Sequence, residues 1–216
     1  MIRGRGYSRV PVAVPWKAGP MRLFAAVLPP ADAVRELAPE VDTLRRMPGA
    51  DALRWTGRPG WHFTLAFYGE VADDVVPDLT ERLLRAARRT GPFPLSLHGG
   101  GHFGGRALWV GAAGDVPAMR LLADRADAAG RKAGVGMEEH RRYRPHLTVA
   151  RSRGSADFKP YAAALDAFAG TPWTVGELCL VRSNLPTAGV PREQPRYETV
   201  ASWPLGAGDG TVPAGG

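Results

Sequence analysis

Apolar and polar positions along this chain switch repeatedly between a period of two and a period near 3.6, the signatures of strand and amphipathic helix. Residues 22–28 read as a strand closed by Pro29-Pro30. Across 31–47 the apolar positions Val34, Leu37, Val41 and Leu44 fall on one helical face, and Pro48-Gly49 ends the run. A short strand at 53–56 precedes 62–68, the most regular alternation in the sequence, which Gly69 closes. A second helix spans 73–89, with Asp73-Asp74 at its capping end, Val76, Leu79, Leu83 and Leu84 inward, and Arg85, Arg88 and Arg89 toward its C-terminus. Strands at 94–98 and 107–111, joined through a glycine loop, make a hairpin. The order then repeats as a helix at 116–133, a strand at 146–151, a helix at 156–168, and strands at 173–182 and 196–203.

Composition narrows the setting. A chain of 216 residues that is 44% hydrophobic can bury a substantial core, as one domain or as two small lobes. Of the formal charge of +7, Arg3, Arg5, Arg9 and Lys17 supply +4 in the first 20 residues, which contain no acid. The modest excess left over suits an anionic ligand without demanding a long phosphate track. The heavy preference for Arg over Lys fits a GC-rich genome as well as a design for phosphate. The single cysteine, Cys179, excludes an intrachain disulfide, reads as a buried strand residue, and fits a reducing, cytoplasmic setting. No apolar run reaches the roughly 18 residues of a membrane span. Residues 1–20 read as a dispensable disordered extension without a leader's cleavage site, and 206–216 as a disordered tail.

One pentapeptide pattern occurs twice: His62-Phe63-Thr64-Leu65-Ala66 and His146-Leu147-Thr148-Val149-Ala150. With five histidines in the chain, a single His-x-Thr is expected about 0.25 times by chance, so two copies in matched apolar contexts point to selection. On a strand each His and Thr project to one face, while Phe63/Leu65 and Leu147/Val149 project to the other. Each His-x-Thr strand is followed by a helix, which suggests two halves related by a pseudo-two-fold axis, with their strands facing across a groove. Two opposed imidazoles suit phosphoryl chemistry without a metal: one takes a proton from attacking water and the other gives one to the leaving oxygen. Each Thr hydroxyl can donate to a non-bridging phosphate oxygen.

These residues resemble a known family. The two motifs, the start Arg22-Leu23-Phe24-Ala25-Ala26, the segment 61–71 and the segment 143–151 are similar to the two-histidine phosphoesterases, most of all to the RNA 2′,3′-cyclic phosphodiesterases of bacteria and archaea, historically called 2′-5′ RNA ligases. The resemblance runs over roughly residues 21–205 and includes Val181-Arg182-Ser183-Asn184 and Tyr197. It implies a single bilobed α+β domain over 21–205, with two antiparallel sheets flanked by helices around a central groove. The implied reaction is metal-free, cofactor-free opening of a 2′,3′-cyclic phosphate to a 2′-phosphate. His62 would be the proton donor and His146 the proton acceptor, with Thr64 and Thr148 on the phosphate; the residues themselves leave the two histidine roles interchangeable. The implied partner is RNA with a 2′,3′-cyclic phosphate end, tRNA fragments and small cyclic nucleotides being candidates, acted on by a monomer that engages no membrane. ATP-independent 2′-5′ ligation, hydrolysis of a small cyclic nucleotide and non-catalytic binding of RNA ends are the alternatives.

Further candidates flank the motifs. Arg151, five residues after His146, can pair with phosphate or simply end a strand. Phe67, five after His62, would by strict alternation face away from the histidine unless the strand bulges, so it stacks on a base only in that case. Tyr143 can stack on a base or sit at the core edge, and Arg141, Arg142 and Arg144 form a basic approach to the second motif. The run 99–104 satisfies G-x-G-x-x-G but precedes a strand pattern rather than a helix, so it marks no dinucleotide site. His98, His102 and His140 lack metal-ligand spacing. No phosphate-binding loop of the G-x-x-x-x-G-K-[ST] type is present, which removes the usual basis for an ATP-dependent ligase.

Overall fold

In the computed structural model the described residues are 20–137, 143–185 and 194–206. The readings made above for 1–19, for His140, Arg141 and Arg142, and for 207–216 lie outside them. Among the described residues nine strands and four α-helices follow in the order β1 (Met21–Val27), α1 (Ala31–Leu44), β2 (Arg54–Trp55), β3 (Phe63–Val71), α2 (Val76–Arg88), β4 (Phe93–Phe103), β5 (Ala107–Gly114), α3 (Val116–Lys132), β6 (Leu147–Arg151), α4 (Lys159–Ala164), β7 (Trp173–Val175), β8 (Glu177–Asn184) and β9 (Arg196–Pro204). The fold is α+β, its strands forming one antiparallel sheet in the order β7-β4-β5-β6-β3-β1-β8-β9, with β2 pairing β6.

The two motif strands stand side by side at the middle of this sheet and share a single register pair, Phe63 opposite Leu147. Both side chains are fully buried. The two antiparallel sheets that the family resemblance implies are therefore half-sheets, β7-β4-β5-β6 and β3-β1-β8-β9, that meet at one residue pair. Beyond it β3, which pairs with β1 on its other edge from Phe63 to Val71, diverges from β6, and β2 takes the vacated edge of β6 with Trp55 opposite Ala150 and Arg54 opposite Arg151. The pseudo-two-fold axis of the strands passes between Phe63 and Leu147. It relates half-sheets rather than sequential halves of the chain, because β4 and β5 stand beside β6 whereas the C-terminal β8 and β9 complete the half around β3.

One hydrophobic cluster unites the inward residues of both half-sheets with those of all four helices, including Leu37 and Val41 of α1, Leu79 and Leu83 of α2, Met119 and Leu122 of α3, and Tyr161 of α4. A second, smaller cluster of Phe24, Ala26, Cys179 and Val181 lies apart from it, with Tyr197 packed on it. Alternation along β1 explains the division: Leu23, Ala25 and Val27 join the main core, while Phe24 and Ala26 floor the other face.

Three expectations shift. The run 173–182 is two strands, β7 and β8, split at Gly176 and belonging to different half-sheets. The glycine run expected as a loop lies largely within β4, whose hairpin with β5 continues to Phe103 opposite Ala107. Side chains there would collide, since a Cβ on Gly100 would lie 2.6 Å from Leu165 and one on Gly101 would lie 2.2 Å from the Trp109 ring. Helix α2 begins at Val76 rather than 73, with Pro77 in its first turn and no side-chain cap, so Asp73-Asp74 precede it. By contrast α3 is capped as such helices should be, the Asp115 carboxylate accepting from Ala118 N at 2.9 Å.

Candidate active site

Each histidine occupies the residue immediately before its strand, and the alternation continues through it. His62 and Thr64 are half-buried while Phe63 and Leu65 are buried, and His146 and Thr148 repeat the pattern with Leu147 and Val149. Thr64 stands opposite Ala26 of the second cluster, and Thr148 stands opposite Trp109. Directly opposed residues share a face, so the His/Thr face is the one floored by Phe24, Ala26 and Trp109.

Both motif strands then bulge at the same position. In β3, Thr64 pairs with Ala26 and Ala66 with Ala25, leaving Leu65 as an extra residue; in β6, Thr148 pairs with Trp109 and Ala150 with Leu108, leaving Val149 extra. The bulge reverses the alternation. Ala66 and Ala150 turn into the core, and the residues after them, Phe67 and Arg151, turn out onto the histidine face. Strict alternation would have placed Phe67 opposite His62. Instead it is 45% exposed, stands across from Phe24, and has the Arg22 guanidinium 4.7 Å over its ring. Phe67 and Arg151 are thus two-fold counterparts, one aromatic and one cationic.

The histidines are fixed alike. The Nδ1 of His146 lies 2.8 Å from the carbonyl oxygen of Arg144, two residues back. A carbonyl only accepts, so Nδ1 carries the hydrogen and Nε2 is left to exchange a proton. His62 is hydrogen-bonded to the backbone of Gly60, also two residues back. A Cβ on Gly60 would lie 2.9 Å from Thr56 and 3.1 Å from the Tyr197 ring, so the glycine makes room for both. The rings around the two imidazoles differ. His62 lies against Phe24 with centroids 4.7 Å apart and against Tyr197 at 5.0 Å. His146 meets Phe103 edge-on at 4.8 Å and Trp109 at 6.4 Å, and Arg144 covers Trp109 at 4.3 Å.

Burial and positive charge both disfavour the imidazolium forms. Desolvation first, then the Arg151 guanidinium, push His62 down to about 4, against the opposing pull of the Gly60 hydrogen bond; His146 adds to the depression. His146 is lowered by burial, opposed by its Arg144 carbonyl bond and reinforced by the Arg151 and Arg144 charges. Arg151 therefore acts on both histidines. Burial raises the Tyr197 phenol, and Arg151, Arg54 and Arg22 pull it back.

The structure brings His62, His146, Thr64, Thr148, Arg151 and Phe67 to one face. Tyr143 is elsewhere: its ring packs against the main core and its buried hydroxyl has no hydrogen-bond partner among the described residues. Sequence reasoning singled out Tyr197 only as part of a resemblance and did not place Phe24, Phe103 or Trp109 at the site. Among the described residues no three His, Cys, Asp or Glu side chains cluster as metal ligands, and no helix is long and apolar enough to cross a membrane.

A pseudo-symmetric α+β protein with one His-x-Thr strand from each half-sheet and an arginine on the same face is the class that this fold and site define. The chain belongs to the 2′-5′ RNA ligase superfamily, whose family model matches residues 33–186. An RNA 2′,3′-cyclic phosphodiesterase of Geobacillus stearothermophilus is 34% identical over 168 residues, covering 74% of this chain and 51% of that protein, so the chain spans about half of that relative's length. A protein of the same name from Thermus thermophilus is 32% identical over 184 residues, 78% of this chain and 85% of its own. Among solved structures, one from Thermus thermophilus superimposes with a TM-score of 0.68 at 26% identity, covering 88% of this chain and 100% of the other. E. coli LigT complexed with 3′-AMP gives a TM-score of 0.66 at 25% identity, with coverages of 87% and 99%.

Proposed function

We infer that the protein hydrolyses RNA 2′,3′-cyclic phosphate termini to 2′-phosphomonoesters by metal-independent acid/base catalysis between His62 and His146. The observation that carries this reading is the two-fold repeat of histidine, threonine and bulge across the Phe63–Leu147 pair, with Arg151 turned onto the same face. The names of the relatives and the 3′-AMP bound by LigT support the same substrate class.

In this mechanism the cyclic phosphate sits between the imidazoles. Thr64 and Thr148 donate to its non-bridging oxygens and Arg151 offsets its charge. The neutral Nε2 of His146 takes a proton as water oxygen bonds to phosphorus. The bond from phosphorus to O3′ breaks, and His62 delivers its proton to that oxygen, leaving a 3′-hydroxyl and a 2′-phosphate. A histidine of strongly reduced basicity is a strong acid once protonated, which suits His62 to the leaving oxygen. The anionic substrate supplies what the free site lacks, since its charge counters Arg151 and lets the acid partner hold a proton. The working unit is the bilobed domain of residues 21–205, acting as a cytoplasmic monomer, with 1–20 and 206–216 dispensable.

The test is kcat/KM on an oligoribonucleotide ending in a 2′,3′-cyclic phosphate, in excess EDTA, for His62→Ala and His146→Ala. Each substitution lowers it by about 10²–10⁴, and a bell-shaped pH dependence is present only with both histidines. Near-normal turnover by either variant, or loss of the parent activity in EDTA, overturns the assignment.

A further inference from the structure

Arg54 and Arg151 stand directly opposite each other where β2 pairs β6, so both side chains emerge on one face. Like charges so placed repel. Arg106, on the turn before β5, and Arg153, two residues beyond Arg151, join them around a cavity of about 540 Å³ that has no carboxylate in its lining. None of the four has a carboxylate partner among the described residues, although most helix-surface arginines here, such as Arg82 and Arg131, are paired. An adjoining cavity of about 880 Å³ shares Arg54 and Arg153 and continues past the half-buried Trp55 to Arg45, with Asp51 as the one acid among the described residues that line it. The indole N–H of Trp55 is satisfied by the carbonyl of Ala50 at 2.9 Å, so what the ring has to offer a ligand is apolar surface.

The inner end of this cationic strip is Arg151, which lines the cavity and which the β6 bulge turns onto the face that carries His146 and Thr148. The strip is thus continuous with the site. Four exposed guanidinium groups with no carboxylate partner among the described residues hold positive potential over the open cavities, and one terminal phosphate held between the histidines answers only Arg151. We propose that Arg54, Arg106 and Arg153 form a phosphate track that leads the RNA chain away from the histidine pair, so that the protein takes oligoribonucleotides in preference to cyclic mononucleotides. This rests on the functional reading above and adds the chain as the recognised part of the substrate.

The experiment compares kcat/KM on a decaribonucleotide ending in a 2′,3′-cyclic phosphate with that on 2′,3′-cyclic AMP, for the full chain and for the double variant Arg54→Gln/Arg153→Gln. The parent prefers the decamer about tenfold or more at low salt, and the preference collapses in the double variant through a raised KM. Arg54→Lys/Arg153→Lys keeps much of the preference, and Lys132→Gln on α3 keeps all of it. Equal efficiency of the parent on the two substrates, or an undiminished preference in the Gln variant, overturns the track. Fluorescence anisotropy with a 2′-phosphorylated decamer reads the track without chemistry: the Gln variant binds about tenfold or more weakly, and its salt slope falls by about 1.4, or 0.7 for each lost phosphate contact. Unchanged affinity and slope overturn the track. A parent inactive on both substrates defeats the functional reading alone, and the anisotropy result then decides the track by itself.

Discussion

Acidification should destabilise this protein through His62 in a measurable and removable way. Burial and Arg151 hold its folded-state pKa at about 4, whereas the unfolded chain has the ordinary value of about 6.5. Between these values the unfolded state binds more protons, so the stability present above pH 6.5 is lost as pH falls toward 4. At about 1.4 kcal/mol per unit, the loss is about 3 kcal/mol, a large part of a typical net stability of roughly 5–15 kcal/mol. His62→Gln removes it. Urea unfolding of parent and variant from pH 7.5 to 4 should show a stability gap that moves in the variant's favour by about 3 kcal/mol across the window, whatever its value at pH 7.5. Arg151→Gln, which removes the second cause of the depression, should shrink the parent's loss. Parallel stability curves for parent and His62→Gln would refute the claim that the imidazole is held neutral by its surroundings.

Three further outcomes follow from the geometry. Phe63→Ala, at the single register pair joining the half-sheets, should cost about 3–5 kcal/mol in chemical unfolding and reduce turnover as well. Gly101→Ala places a Cβ 2.2 Å from the rigid indole of Trp109, so it should cost about 1–3 kcal/mol and alter indole fluorescence near His146. Arg151→Gln removes a charge-assisted phosphate contact and should lower kcat/KM on a cyclic nucleotide by about 10–100-fold, measurable by following product release; an unchanged rate would remove Arg151 from the site.

The histidine-threonine strands were legible because alternation is local: a half-buried His and Thr between buried apolar residues leave a period-two trace in any order of folding. The bulges at Leu65 and Val149 leave no such trace, since they are visible only against the partner strands β1 and β5. That is why the sequence leaves the face of Phe67 conditional on a bulge that only the pairing with β1 reveals. The break at Gly176 was hidden for a similar reason, because β7 and β8 read as one apolar run although their partners lie in different half-sheets. Phe24 is buried under His62 rather than under the helices, a placement that depends on the fold and not on the local pattern of β1. The glycines of β4 resembled a loop because what they make room for, Leu165 and Trp109, is brought there by tertiary packing.

The most direct measurement of the central claim is the identity of the terminus left on an oligoribonucleotide bearing a 2′,3′-cyclic phosphate after incubation with the protein in excess EDTA, read by mass and phosphatase sensitivity. The account predicts a 2′-phosphate that forms only when both His62 and His146 are intact. A 3′-phosphate, or a 2′-phosphate formed equally well without one of the two histidines, would contradict it.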